Sequence, residues 1–127
     1  DTLDSMERPK CLCHIDANVD NFLFFEDGSV KLLDWEYAGM CDPVMDVSMC
    51  AIYSYYNEED MERLFRLYLQ REPSEDELFA LYANAALGGF LWCLWAVYKS
   101  ILGDEFGEYT IIMYRYAKKY YRKLRKL

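Results

Sequence analysis

The chain has 127 residues, the size of one domain, and a formal net charge of -8. That charge argues against general nucleic-acid binding. Hydrophobic residues make up 54% of the sequence, enough to build a core, which argues against a disordered chain.

The opening stretch, DTLDSMERPK, has no initiator methionine, and the chain is expected to be a piece of a longer protein. Residues 11 to 14 read as a short strand and residues 14 to 21 as a polar loop. FLFF (22–25) reads as a strand, EDGS (26–29) as a turn and VKLLD (30–34) as the returning strand. Asp-Gly between apolar runs is a hairpin signal, and the four-residue turn leaves its type open.

After DWEYAGMCD the pattern turns helical. Pro43 suits a first helical position, and that helix is expected to run to about Tyr56. Asn57 is placed to cap the next helix, with Glu58, Glu59 and Asp60 in its first turn. That helix should end before Pro73. Ser74-x-x-Glu77 reads as a capping box, opening a long helix to about Leu102, where Gly103 stops it. A last helix should cover roughly 106 to 125. The basic run Lys118–Lys126 fits a solvated final turn, where cations suit the helix dipole, better than a membrane or RNA patch.

Five cysteines, Cys11, Cys13, Cys41, Cys50 and Cys93, make an odd number with no C-x-x-C pair. This usage fits a reducing compartment, hence the cytoplasm, better than a disulfide framework. A single histidine, His14, disfavours a zinc site. No stretch reads as a signal peptide. FALYANAALGGFLWCLWAVY comes closest to a membrane span, but its flanks continue as a charged amphipathic helix. It is expected to be a core helix, with no membrane insertion.

The chemistry concentrates in CHIDANVDNFLFFEDGSVKLLDWEYAG. His14, Asp16 and Asn21 form H-x-D-x-x-x-x-N, and Asp34 closes the returning strand. A hairpin brings its open ends together, so Asn21 and Asp34 should lie near each other. An amide oxygen and a carboxylate there make a hard-oxygen site suited to Mg²⁺. Asp16, at the mouth, could accept a proton from an attacking hydroxyl. That is the division of labour in phosphoryl transfer. The plainer reading is a polar hairpin with ordinary turn residues. The Asp-x-Glu at Asp34 and Glu36, placed after the intervening hairpin, favours the functional one.

HIDANVDN and LLDWEYAG resemble the catalytic loop and metal-binding segment of the choline/ethanolamine kinases, the bacterial choline kinases above all. These enzymes belong with the aminoglycoside phosphotransferases and have a protein-kinase-like fold. The resemblance runs from about Cys11 to Tyr121. It implies an α+β, predominantly helical fold: a kinase C-terminal lobe with a small β-hairpin carrying the catalytic loop, then about four helices. It implies Asp16 as catalytic base, Asn21 and Asp34 as Mg²⁺ ligands, and Glu36 as support for the metal or the substrate cation. It further implies structural roles for Asp46, which braces the loop backbone, and for His14. Two positions depart from the family: Ile15 stands where asparagine is usual, and Asp20 where glycine is usual.

Trp92 and Trp95, three apart, share a helix face with Gly88 and Lys99. Leu91, Leu94 and Tyr98 form a neighbouring, more uniform apolar stripe that can serve as core. A tryptophan pair can enclose a quaternary ammonium group by cation–π attraction, or simply pack inside. The resemblance favours a choline site, with Phe106 closing it and Tyr37 near it. Tyr53 falls where the animal enzymes carry an acidic residue.

No glycine-rich loop or ATP-anchoring strand lysine precedes the hairpin. Residues 1–127 are therefore expected to be the catalytic and substrate-binding C-terminal lobe, partnered by an N-terminal nucleotide-binding lobe of the same protein, with ATP as co-substrate. The expected reaction is transfer of the ATP γ-phosphate to choline, giving phosphocholine. Two alternatives stay open. One is a related kinase acting on ethanolamine, an aminoglycoside, a sugar or another amino alcohol. The other is a non-catalytic interaction domain, which should have lost Asp16, Asn21 or Asp34.

Overall fold

The computed structural model describes residues 7–126. The chain divides into two compact units, Asp1–Pro73 and Ser74–Leu127.

In the first unit, β1 (Cys11–Cys13) pairs antiparallel with β4 (Gly39–Cys41), and β2 (Phe22–Phe24) with β3 (Val30–Leu32). The expected hairpin is therefore nested inside a second ladder, in which Cys13 faces Gly39. Strand β4 was not expected. Its three residues, Gly-Met-Cys, carry no alternating pattern, and only pairing with β1 makes them a strand.

The tight turn of the inner hairpin is closed by the Gly28 N–H on the Phe25 carbonyl at 3.0 Å. The Asp27 carboxylate accepts from the Ser29 N–H at 2.9 Å, and these Ser29 contacts hold its carboxyl below the usual range. β3 ends at Leu32 rather than at residue 34. Asp34 has φ 61°, a left-handed conformation that breaks the pleat.

Helix α1 (Val44–Tyr53) packs on α2 (Glu58–Leu69), with Met49, Ile52, Met61 and Phe65 fully buried. Asp42, two residues before α1, accepts from the Val44 N–H at 3.0 Å, so the carboxylate rather than Pro43 caps this helix. Asp42 is also ion-paired with Arg8. α1 stops three residues before the expected Tyr56, because Tyr55 is left-handed at φ 55°. Asn57 caps α2 as expected, its side-chain oxygen accepting from the Asp60 N–H at 3.0 Å.

In the second unit, α3 (Glu75–Ile101) and α4 (Tyr109–Leu124) form a helical hairpin. The Ser74 capping box is complete: Glu77 N–H to Ser74 Oγ at 3.2 Å, Ser74 N–H to Glu77 Oε2 at 2.8 Å. α4 starts at Tyr109 rather than 106. Gly107 sits at φ 53°, outside the helical region, and the helix can begin only after it. The helices run antiparallel: Tyr82 stacks on Tyr120 at one end, and Trp95 meets Phe106 at the other.

Between those ends the backbones nearly touch. A Cβ placed on Gly89 would lie 2.8 Å from the Met113 carbonyl oxygen and 2.9 Å from the Ala117 nitrogen. Ala85, Gly89 and Ala96 share one helix face and are buried, with Trp92 the one large residue among them. That small-residue stripe is the face that receives α4. It leaves the neighbouring stripe uncovered: Leu91 is 55% exposed, Leu94 51% and Tyr98 60%. By pattern these three can serve as core, and here they do not. Close backbone approach favours the stripe with the smaller side chains, and size outweighs hydrophobicity here.

α3 is long and apolar enough to cross a membrane by length and composition, and 61% of its most apolar window is buried. The predicted architecture, α+β and predominantly helical with four helices after a small β region, is what the described residues form.

Candidate active site

The loop begins where β1 ends. Asp46, on α1, reaches back with both carboxylate oxygens. Oδ2 accepts from the His14 N–H at 2.8 Å and Oδ1 from the Ile15 N–H at 2.7 Å. Charge-assisted bonds of this kind are roughly twice as strong as neutral ones. They hold Ile15 at φ 70°, a conformation poorly suited to a β-branched residue. Asparagine, which the resemblance leads one to expect at this position, tolerates left-handed backbone better. The departure at Ile15 thus puts strain in the loop, and the Asp46 clamp opposes it.

Asp16 follows, half-buried, with Ala17 buried behind it. The Asp16 carbonyl accepts from the Asn18 N–H at 2.7 Å and from Asn21 Nδ2 at 3.0 Å. Asn21 Nδ2 also lies 3.4 Å from Asp16 Oδ2. The amide thus fastens the aspartate across the loop. Asn18 and Asn21 are further joined through the Asn21 N–H on the Asn18 carbonyl at 3.0 Å. Asp20 is exposed at this turn.

The returning strand is fixed through Leu33. Its N–H donates to the Asn21 carbonyl at 2.9 Å, and its carbonyl accepts from His14 Nε2 at 2.6 Å. His14 is buried and carries its proton on Nε2 in this contact. Its Nδ1 has no hydrogen-bond partner among the described residues. With Leu33 held on both sides, Asp34 is next in sequence to a residue bonded directly to Asn21. In an unbroken strand Asp34 would face away from Asn21; its left-handed backbone removes that constraint.

Trp35 is the residue that sequence reasoning passed over. Its indole Nε1–H donates to the Leu32 carbonyl at 2.9 Å, and its ring meets His14 edge-on at 4.9 Å. It bridges the segment around Asp34 to His14. The signal was present: a large aromatic between two acids, with a lone histidine upstream. Glu36 and Tyr37 follow on an exposed turn closed by the Ala38 N–H on the Trp35 carbonyl at 3.0 Å.

Cys13, beside His14, is fully buried. Its thiol lies 3.7 Å from Cys11 Sγ and 3.5 Å from the Cys41 carbonyl oxygen. Burial pushes its pKa far up, with the neighbouring thiols of Cys41 and Cys11 and the charge of Asp46 adding to the shift. Burial also raises Cys41 and Cys50. All five cysteines are free thiols.

The donor chemistry fits Mg²⁺ better than zinc. Among the described residues no cluster of three His, Cys, Asp or Glu side chains could hold a metal. Mg²⁺ takes one or two protein oxygens and completes its shell with water and phosphate. With its Nδ2 engaged by Asp16, the Asn21 amide leaves its oxygen without a donor among the described residues, and Asp34 carries the other hard oxygen donor on the segment that follows Leu33.

In the second unit, Trp92 and Trp95 meet edge to face at 5.4 Å, and Trp95 and Phe106 at 5.1 Å. Trp92 is only 7% exposed, while Trp95 and Phe106 are half-buried. The sequence-predicted residues therefore form two groups. His14, Asp16, Asn21 and Asp46 share one hydrogen-bond network with the backbone leading into Asp34. Trp92, Trp95 and Phe106 share one aromatic cluster. Tyr53, on α1, is half-buried.

Residues 1–87 match the Phosphotransferase enzyme family, and the chain belongs to that family. Protein LicA of Haemophilus influenzae is 27% identical over 114 residues, covering 85% of this chain and 32% of that protein. Choline kinase LicA from Streptococcus pneumoniae is a solved relative. It is 29% identical, with a TM-score of 0.79 over 96% of this chain and 43% of its own. A choline/ethanolamine kinase family protein from Mesorhizobium loti is 25% identical, with a TM-score of 0.73 over 98% of this chain and 41% of its own. The chain thus spans less than half the length of these relatives. The family match contains the whole loop from His14 to Asn21 and the segment with Asp34 and Glu36. The aromatic cluster lies beyond residue 87, within the span shared with the LicA structure.

Proposed function

We propose that this chain is the catalytic and substrate-binding C-terminal lobe of a cytoplasmic choline kinase, which transfers the γ-phosphate of ATP to the choline hydroxyl. One observation carries the reading: Asp16 and Asn21 are fastened to each other and, through Leu33, to the segment bearing Asp34. A polar turn without function has no need of that network. The likeness to choline kinase LicA from Streptococcus pneumoniae supports choline as the substrate.

Asp16 is the general base in this reading. It accepts the choline hydroxyl proton, with its position set by the Asn21 amide. Asn21 Oδ1 and Asp34 would hold Mg²⁺, which when bound neutralises charge on the transferring phosphate. Glu36 supports the metal or the substrate cation. His14 and Asp46 hold the loop. Trp95 and Phe106, backed by Trp92, offer aromatic faces and edges to the quaternary ammonium. An N-terminal lobe of the same protein supplies the nucleotide site, so this chain alone has little turnover.

A substrate panel on the complete enzyme tests the reading. With ATP and Mg²⁺, choline should be the best acceptor, ahead of ethanolamine. Aminoglycosides should be poor acceptors, because a polycationic sugar favours an acidic pocket over an aromatic one. An aminoglycoside preference would overturn the assignment.

A further inference from the structure

One feature of the aromatic cluster is a cation already in place. Lys99, one helical turn after Trp95, sets its Nζ 5.9 Å from the centre of the Trp95 ring. The same Nζ is 3.0 Å from Asp104 Oδ2, just beyond the end of α3. The ring therefore carries an ammonium group, and that ammonium has its own counter-ion. Neither partner is buried: the side chains are 35% and 51% exposed. The pair can open without the loss that attends a buried charge.

We infer that Lys99 sets the cation specificity of this site, with Asp104 as its retaining counter-ion. This rests on the proposal that Trp95 and Phe106 receive a substrate cation. A cation arriving at this face of Trp95 must displace Lys99, since two like charges cannot share it. That displacement disfavours every cation equally. The second effect is selective. An incoming primary ammonium can donate to the Asp104 carboxylate only by breaking the Lys99–Asp104 pair as well. A quaternary ammonium has no N–H and so forgoes no hydrogen bond there, only the weaker, screened attraction of the charge. A primary ammonium in the place of Lys99 Nζ would inherit both contacts, the indole face and the carboxylate. Lys99 thus tilts the site toward quaternary over primary ammonium groups.

The test uses the full chain, titrated with tetramethylammonium and with methylammonium, and follows the Trp95 indole N–H resonance by NMR. Lys99→Gln should bind tetramethylammonium about two- to fivefold more tightly, the range of one exposed cation–π contact. Methylammonium should gain about a further two- to fivefold, because Asp104 is released to it. Adding Asp104→Asn to that variant should abolish the further gain and keep the first. Lys99→Arg, which keeps a cation over the ring, should gain nothing. The melting temperature should barely move in any of them. If Trp95 responds to both cations but Lys99→Gln titrates like the unaltered chain, the role of Lys99 is wrong and the aromatic site stands. If Trp95 responds to neither cation in any variant, both fall.

Discussion

In the first unit a single carboxylate, Asp46, holds two backbone N–H groups and, through them, a strained loop. In the second unit Gly89 lets two helices meet along a stripe of small residues, so backbone contact does the work there. The polar clamp fixes a few atoms closely, as the proton transfer proposed for it would require. The helical hairpin fixes a surface, as the cation binding proposed for it would require. Damage should therefore stay local: losing the clamp should loosen the loop, and losing the close approach should loosen the helices.

The largest effect on stability should come from Asp46→Ala. It leaves the His14 and Ile15 N–H groups without their charged acceptor, and each such bond contributes about 1.5–3 kcal/mol. A loss of about 3 kcal/mol or more is expected in urea melts, with Asp46→Asn losing roughly half. A neutral Asp46→Ala would mean that Ile15 needs no clamp. Next comes Gly89→Ala. The new methyl meets backbone atoms that cannot swing aside, and overpacking of that kind costs about 1–3 kcal/mol. The gain in helix propensity offsets up to about 1 kcal/mol of this. Hydrogen exchange should report faster opening of α3 and α4, and an unchanged rate would contradict the close approach.

Alkaline pH should act chiefly on the first unit. Burial raises Cys13, Cys41 and Cys50, so the folded chain keeps their protons to higher pH than the unfolded chain. Unfolded thiols ionise near a pKa of about 8.5. The stability from these groups is complete below that pH and falls as pH rises through the folded values. For fully buried Cys13 the slope is at most about 1.4 kcal/mol per pH unit. Melts between pH 7 and pH 10 should show the decline, and Cys13→Ala should flatten it. The smallest effect belongs to Leu91→Ser and Leu94→Ser. As exposed positions they should shift stability by no more than about 0.5 kcal/mol. A loss of about 2–5 kcal/mol would return them to a core.

The two units also differ in how far their sequences could be read. In the first, fixed spacing carried the information: H-x-D-x-x-x-x-N named three polar residues that the structure joins, and the Asp-x-Glu segment follows directly on Leu33, which is bonded to two of them. The bracing contacts of His14 and Trp35 were less visible, because they run to the backbone carbonyls of Leu33 and Leu32. A carbonyl leaves no mark in a sequence. Strand β4 was invisible for a similar reason, since pairing rather than propensity makes Gly39–Cys41 a strand. In the second unit the helices and the capping box were plain, but the buried face was misread. Leu91 and Leu94 look like core by hydrophobicity. The decisive fact was the glycine and alanine spacing on the adjacent face.

The central claim is that Asp16 moves a proton in phosphoryl transfer, and its most direct test is turnover by Asp16→Asn in the complete enzyme. The substitution is isosteric and lies in a loop, so the melting temperature should stay close to that of the unaltered enzyme. With choline, ATP and Mg²⁺ at saturation, kcat should fall by about 10²–10⁴-fold, the usual contribution of a positioned general base. A variant that folds normally and keeps near-native turnover would contradict the account.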